Sequence, residues 1–194
     1  MAGRKGPLFI VSGPSGSGKS TALRRLLSQT NLPLKLAVSA TTRPPRPGEL
    51  DGVDYYFWSR DRFERELAKD SFLEWAEVFG NYYGTLRSEV EPAREQGQGV
   101  ILEIDVNGAR QVRQRCPDAV SIFLRAPSLE TYKERLEARG TENEETIQRR
   151  LARIQTELQC ASEYDYQVIN DDLQATVDRL AEMVQQGFER RNHA

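Results

Sequence analysis

The run GPSGSGKS at residues 13–20 satisfies the pattern G-x-x-x-x-G-K-[ST] at every position. Each residue type answers a need of phosphate binding. Gly13, Gly16 and Gly18 let the backbone turn tightly, so that successive N–H groups point inward at phosphate oxygens. The run opens a helix, whose N-terminus favours an anion. Lys19 is expected to reach the β- and γ-phosphates, and the Ser20 hydroxyl to ligate Mg²⁺. A second acidic partner for the metal is expected at Asp105, which ends the apolar run VILEID; the alternative there is an acid that caps the next turn. The loop by itself implies nucleoside triphosphate binding. It does not separate a GTPase, an ATP-driven motor, a small-molecule kinase or an inactive scaffold.

A second group of residues is cationic. SATTRPPRPGE (39–49) sets Arg43 and Arg46 among three prolines. The stretch reads as a solvated loop, as a Pro-x-x-Pro ligand, or as a stiff anion clamp. Arg135 and Arg139 lie four apart on one helical face, and Arg149 and Arg150 are read as starting the next helix run. Like charges at i,i+4 cost a few tenths of a kcal/mol unless an anion offsets them. The surrounding glutamates favour a solvated helix for most of these arginines, yet phosphoryl transfer needs mobile positive charge. RGTENEE (139–145) has the composition of a lid hinge. In FLEW (72–75), Glu74 sits among bulky apolar residues. A carboxylate there can take two N–H bonds from a guanine edge or serve as a plain salt bridge. The tyrosines of FGNYYGT (79–85), read as lying at a helix-free turn between glycines, suit packing, or donation to a phosphate.

The elements that must position these groups follow from the apolar pattern. PLFIVSG (7–13), GVILEIDVNG (99–108), DAVSIFLRAP (118–127) and YQVIND (166–171) read as short strands, the second running into a turn. KLAVSATT (35–42) reads as one extended segment and DYYFWS (54–59) as strand-like. Residues 18–29 have helical spacing, and 59–80 read as a helix followed by a less regular segment. From 128 to 160 the chain is helical, with Ile147, Leu151, Ile154 and Leu158 as its stripe. A last helix carries Leu173, Val177, Leu180, Val184 and Phe188. Apolar strands alternating with helices predict an α/β fold with a parallel sheet covered on both faces. Residues 36–95 break that rhythm and read as an insertion.

The totals exclude several classes. A net charge of −2 supplies no basic field for nucleic acid or a membrane surface. Two cysteines far apart and one histidine, His193, leave no zinc site and no Ser-His or Cys-His nucleophile. No run approaches the ~18 apolar residues of a membrane span, and the N-terminal apolar stretch is short for a signal peptide. The chain reads as cytoplasmic, a monomer or homodimer acting on small molecules.

GPSGSGKST, SATTRPPRPGE followed by DYYF, FLEWAEVFGNYYGT, LEIDVNGA, RLEARGTE, IQRRL and VINDDL occur in this order over about residues 7–185. Together they closely resemble the guanylate kinase family. The resemblance implies ATP + GMP ⇌ ADP + GDP with Mg²⁺. It implies a P-loop parallel sheet core covered by helices (5–35, 96–126 and 160–191), an inserted mixed α/β GMP-binding lobe (36–95) and a helical lid (127–159). ATP would be held by Gly13, Pro14, Ser15, Gly16, Ser17, Gly18, Lys19, Ser20 and Thr21, with Arg135 on the ATP side and Asn170 near the adenine. The GMP phosphate would meet Arg43, Arg46, Tyr55 and Tyr83, and guanine would be read by Ser39, Glu74 and Thr85. Glu103 and Asp105 belong to the same acceptor site, with Asp105 and Ser20 at the metal. Lys19, Arg43, Arg139 and Arg150 would serve the transferring phosphoryl group. Many members carry Asp-Ile-Asp where this chain has Glu103-Ile104-Asp105, which implies a modest change in GMP affinity. A phosphopeptide-binding scaffold of the same fold would have lost loop and lid residues that are kept here. A GTPase switch would carry Asn-Lys-x-Asp, which this sequence lacks.

Overall fold

The computed structural model describes residues 5–138 and 144–193. Arg139 and the hinge glycine Gly140 lie outside the described residues. In chain order the elements are β1 (Leu8–Ser12), α1 (Lys19–Gln29), β2 (Leu34–Leu36), β3 (Ser39–Thr41), β4 (Tyr56–Phe57), α2 (Arg60–Ala68), β5 (Phe72–Val78), β6 (Asn81–Leu86), α3 (Arg87–Glu95) and β7 (Gly99–Glu103). They continue as α4 (Val106–Arg115), β8 (Val120–Arg125), α5 (Leu129–Glu137), α6 (Glu144–Leu158), a 3₁₀ turn (Gln159–Glu163), β9 (Tyr166–Ile169) and α7 (Leu173–His193).

Five strands form a parallel sheet in the order β2-β7-β1-β8-β9. Its central strands are apolar on both faces because helices cover both. Phe9 and Val11 of β1 pack with Ile101, Ile122 and Leu124 beneath Leu23 and Leu26 of α1 and Val177, Leu180 and Val184 of α7. Leu8 and Ile10 point the other way, into a cluster with Leu102, Phe123, Val90 of α3, and Ala109 and Val112 of α4. The α/β core expected from the strand pattern is therefore present.

The inserted stretch builds its own sheet, β4-β3-β6-β5. Phe63 of α2 stacks on Phe72 at 4.3 Å and on Tyr82 at 5.2 Å between ring centroids, giving this lobe a separate aromatic core. Its β5 is an edge strand, and α4 covers part of that edge. The Gln111 amide donates to the Trp75 carbonyl at 2.6 Å and Arg115 donates to the Phe72 carbonyl at 3.1 Å. Glu89 of α3 ties the lobe to the core, accepting from Lys35 of β2 and Tyr56 of β4, both at 2.7 Å. A third small core, Tyr132 and Leu136 of α5 against Ile154 of α6, joins the two helices that stand over the sheet's carboxyl edge.

Five readings of the sequence need correction. KLAVSATT is not one strand: it breaks at Ala37–Val38, with β2 in the parallel sheet and β3 in the lobe. The stretch after α2 is not irregular but contains β5, whose alternation is disrupted by a bulge between Phe72 and Glu74. Tyr82 and Tyr83 lie in β6, not in a turn. Arg149 and Arg150 lie inside α6, which starts at Glu144. Neither α3 nor α4 carried a helical reading, and Val106–Gly108, read as a turn after the strand, is the first turn of α4.

Candidate active site

The phosphate loop leaves the buried end of β1 and enters α1 through Gly18, whose φ is 89°. A side chain there would be strained and would also meet Asn170: an added Cβ lies 2.2 Å from its amide nitrogen. The loop's carbonyls are occupied from several sides. Lys19 Nζ donates to the carbonyls of Gly13 at 2.6 Å and Pro14 at 3.0 Å. Arg135 donates to Gly16 at 3.0 Å, and the Asn170 amide to Ser17 at 2.8 Å. With these acceptors satisfied, the loop offers net donor character to an anion. Asn170 is buried, and its oxygen accepts from Thr176 at 3.2 Å. It and Arg135, also bonded to the Asn170 carbonyl at 3.3 Å, brace the loop from behind.

Across the cleft, the prolines and Glu49 shape the arginine turn. Arg43 makes a two-pronged pair with Glu49, at 2.9 and 3.0 Å, and lies over the rings of Tyr55 and Phe57 at 5.5 and 5.7 Å. Glu49 also accepts the Arg46 backbone N–H at 2.7 Å, which closes the turn. Burial weakens the Arg43 charge, but Glu49 and Tyr83 outweigh it and hold the guanidinium above its ordinary pKa. Burial, helped by the charge of Glu103, pushes the Tyr55 phenol up, so it stays a neutral donor. Tyr55 packs edge-on against Tyr83 at 6.0 Å.

Glu74 is buried at the bulge of β5. It accepts from Thr85 Oγ1 at 2.6 Å, and that hydroxyl lies 3.1 Å from Ser39 Oγ. Burial, opposed by the Thr85 hydrogen bond and reinforced by Asp105, pushes its carboxyl up to about 7. The α4 backbone passes so close that a Cβ at Gly108 would sit 2.2 Å from Glu74 Oε2, which accounts for a glycine inside a helix. Asp105 is the N-cap of α4, accepting from Gly108 N at 2.8 Å, and its other oxygen is 3.4 Å from Arg153. The carboxylate bonded to the Ser20 hydroxyl, at 2.6 Å, is Glu103.

Most of these groups face one cleft of about 350 Å³. Of the residues singled out in the sequence it is lined by Gly13, Ser15, Gly16, Gly18, Lys19, Ser20, Thr21, Ser39, Arg46, Tyr55, Glu74, Tyr83, Glu103, Asp105 and Arg150. Pro14, Ser17, Arg43, Thr85, Arg135 and Asn170 stand behind this lining rather than in it. The cleft also holds Phe79, Arg153 and Glu157, which the sequence reading missed. The signal was spacing: Arg150, Arg153 and Glu157 follow one face of α6 beside its apolar stripe.

A guanylate kinase family model matches residues 5–187. The chain belongs to the guanylate kinase family. A guanylate kinase of Symbiobacterium thermophilum is 52% identical over 180 residues, covering 93% of this chain and 85% of that protein. One from Rubrobacter xylanophilus is 51% identical over 181 residues, covering 93% and 94%. The crystal structure of guanylate kinase from Anaplasma phagocytophilum superposes with a TM-score of 0.80 at 32% identity, over 96% of this chain and 88% of that one. The guanylate kinase fold thus accounts for both sheets. No helix among the described residues is long and apolar enough to cross a membrane.

Proposed function

We propose that this chain transfers the γ-phosphoryl group of ATP to GMP, giving ADP and GDP. The observation that carries this reading is a single cleft with two unlike walls. One wall is the phosphate loop; the other brings Arg46, Tyr55 and Tyr83 beside the buried carboxylate Glu74.

The donor triphosphate would lie on the loop, with Lys19 leaving its two carbonyls for phosphate oxygens. The acceptor's phosphate would lie on Arg46, Tyr55 and Tyr83, with Arg43 held ready behind them by Glu49. Glu74, once ionised, accepts the paired N–H groups of a guanine edge, and Ser39 and Thr85 orient it. Adenine offers no such pair of donors. An oxygen of the GMP phosphate attacks Pγ, and the bond from Pγ to the bridging oxygen breaks with its electron pair leaving on ADP. The attacking oxygen is already anionic, so no base is required. Positioning and charge neutralisation carry the rate, supplied by Lys19, Arg150 and, from the family resemblance, Arg139.

The residues present fit Mg²⁺. A hydroxyl and a carboxylate bonded to each other at 2.6 Å form a hard oxygen pair at the loop's end. Ser20 and Glu103 would hold the ion, while Asp105 remains with α4 and Arg153. Bound there, Mg²⁺ neutralises charge on the donor phosphates. The site would act in a soluble, cytoplasmic enzyme, as monomer or homodimer.

A coupled ADP-release assay with ATP and a panel of GMP, AMP and UMP tests this. Turnover with GMP and little with the others is expected. Absence of GMP-dependent ADP release would sink the reading.

A further inference from the structure

The β5–β6 hairpin turns through Phe79 and Gly80, with Val78 and Asn81 paired on either side. Both turn residues have positive φ, 51° and 76°, as a type I′ turn requires. Such a turn favours Asn, Asp or Gly at its first central position, and a bulky residue there is strained. Phe79 is also 60% exposed. Neither turn chemistry nor core packing accounts for a phenylalanine in this place. An outlier held against its local preference points to function.

Its ring has partners, and they come from α6. The guanidinium of Arg153 lies 5.0 Å from the ring centroid and that of Arg150 5.5 Å. Arg153 is fixed on two further sides, by Glu157 at 2.7 Å and by Asp105 at 3.4 Å. The hairpin tip, the helix and the strand-end acid thus meet at the rim of the cleft, and all of them line it.

We propose that Phe79 is a positioning residue for phosphoryl transfer: its ring is the acceptor lobe's docking plate for the lid helix, seating Arg150 and Arg153 over the cleft. This rests on the reading of the cleft given above. A guanidinium over an exposed ring contributes a factor of about 2–5 to an equilibrium. Two such contacts on one ring set the scale of the effect at about 5–20-fold.

Three variants separate this from a structural role. Phe79→Asn suits the left-handed turn better than phenylalanine and removes the ring. It is expected to keep or raise Tm while kcat with GMP and ATP falls about 5–20-fold, with KM for ATP within about twofold of wild type. Phe79→Tyr keeps the ring and is expected to keep wild-type kcat. Arg153→Gln is expected to cost less in the Phe79→Asn background than in wild type, because the ring contact they share is already gone. Wild-type kcat in Phe79→Asn, or equal losses in the Asn and Tyr variants, overturns the proposal. So does a loss that tracks a fall in Tm. If wild-type protein shows no GMP-dependent turnover, the functional reading has failed and the docking role falls with it. If wild type turns over and only the variant prediction fails, the docking role alone is wrong.

Discussion

The phosphate loop and the arginine turn face each other across the same cleft and are built from opposite materials. The loop is a backbone device. Its specificity lies in three left-handed glycines and in carbonyls tied by Lys19, Arg135 and Asn170. The acceptor side is a side-chain device. Arg43, Arg46, Tyr55, Tyr83 and Glu74 come from separate segments of the lobe and converge only because two sheets fold against α4 and α3. A backbone device tolerates little change in conformation but is indifferent to the base. A side-chain device can read a base, at the cost of burying a carboxylate. That cost is visible in the raised pKa of Glu74.

Breaking the donor side should have the largest effect. Lys19→Ala is expected to lower kcat by at least ~10²-fold with Tm nearly unchanged, since the role proposed for Lys19 is charge stabilisation and it is not a core residue. Single-turnover rates beside thermal melts check this.

The acceptor side should instead show itself through pH. Glu74 must be ionised to accept two donors, and its carboxyl sits at about 7. KM for GMP is therefore expected to rise about tenfold from pH 8 to 6, beyond any change in KM for ATP. Titration of the GMP phosphate itself is removed by the same series in Glu74→Gln. Stability follows the opposite sign. The folded state holds this proton more tightly than the unfolded chain, so Glu74 makes the unliganded protein less stable as pH rises from about 4.5 to 7.

Two smaller effects sharpen the contrast. Glycine to alanine inside a helix ordinarily stabilises by about 0.5–1 kcal/mol. Gly108→Ala is expected to do the reverse, lowering Tm and raising KM for GMP about tenfold or less, because the new methyl displaces Glu74. Asn170→Ala should raise KM for ATP a few-fold and leave KM for GMP alone, since it loosens only the loop's brace. Steady-state kinetics in both substrates distinguish them.

The same difference explains what the sequence made legible. The loop could be read directly because its geometry demands glycine, lysine and a hydroxyl at fixed spacing. The parallel core was readable because β1, β7 and β8 are apolar on both faces. The acceptor residues emerged mainly through resemblance to a family, since nothing local joins Ser39, Glu74 and Tyr83. In β5 three successive residues are buried against different neighbours, Phe72 in the lobe's aromatic core, Leu73 in the parallel-sheet core and Glu74 beside α4, so no alternation survives to mark a strand. Asp105, expected at the metal, caps α4, and the glycine it caps belongs where Glu74 needs room. Arg153 shares a helix face with Arg150 and Glu157, but that spacing does not say what the face meets. Only the fold brings it to Phe79 and Asp105.

In the proposed reaction a buried carboxylate on the acceptor side, Glu74, chooses the base. The direct measurement is the ratio of kcat/KM for GMP to that for AMP, in wild type and in Glu74→Gln. The ratio is expected to fall by about 5–150-fold in the variant, the equivalent of roughly 1–3 kcal/mol, mainly through GMP. An unchanged ratio, with Glu74→Gln still folded, would contradict it.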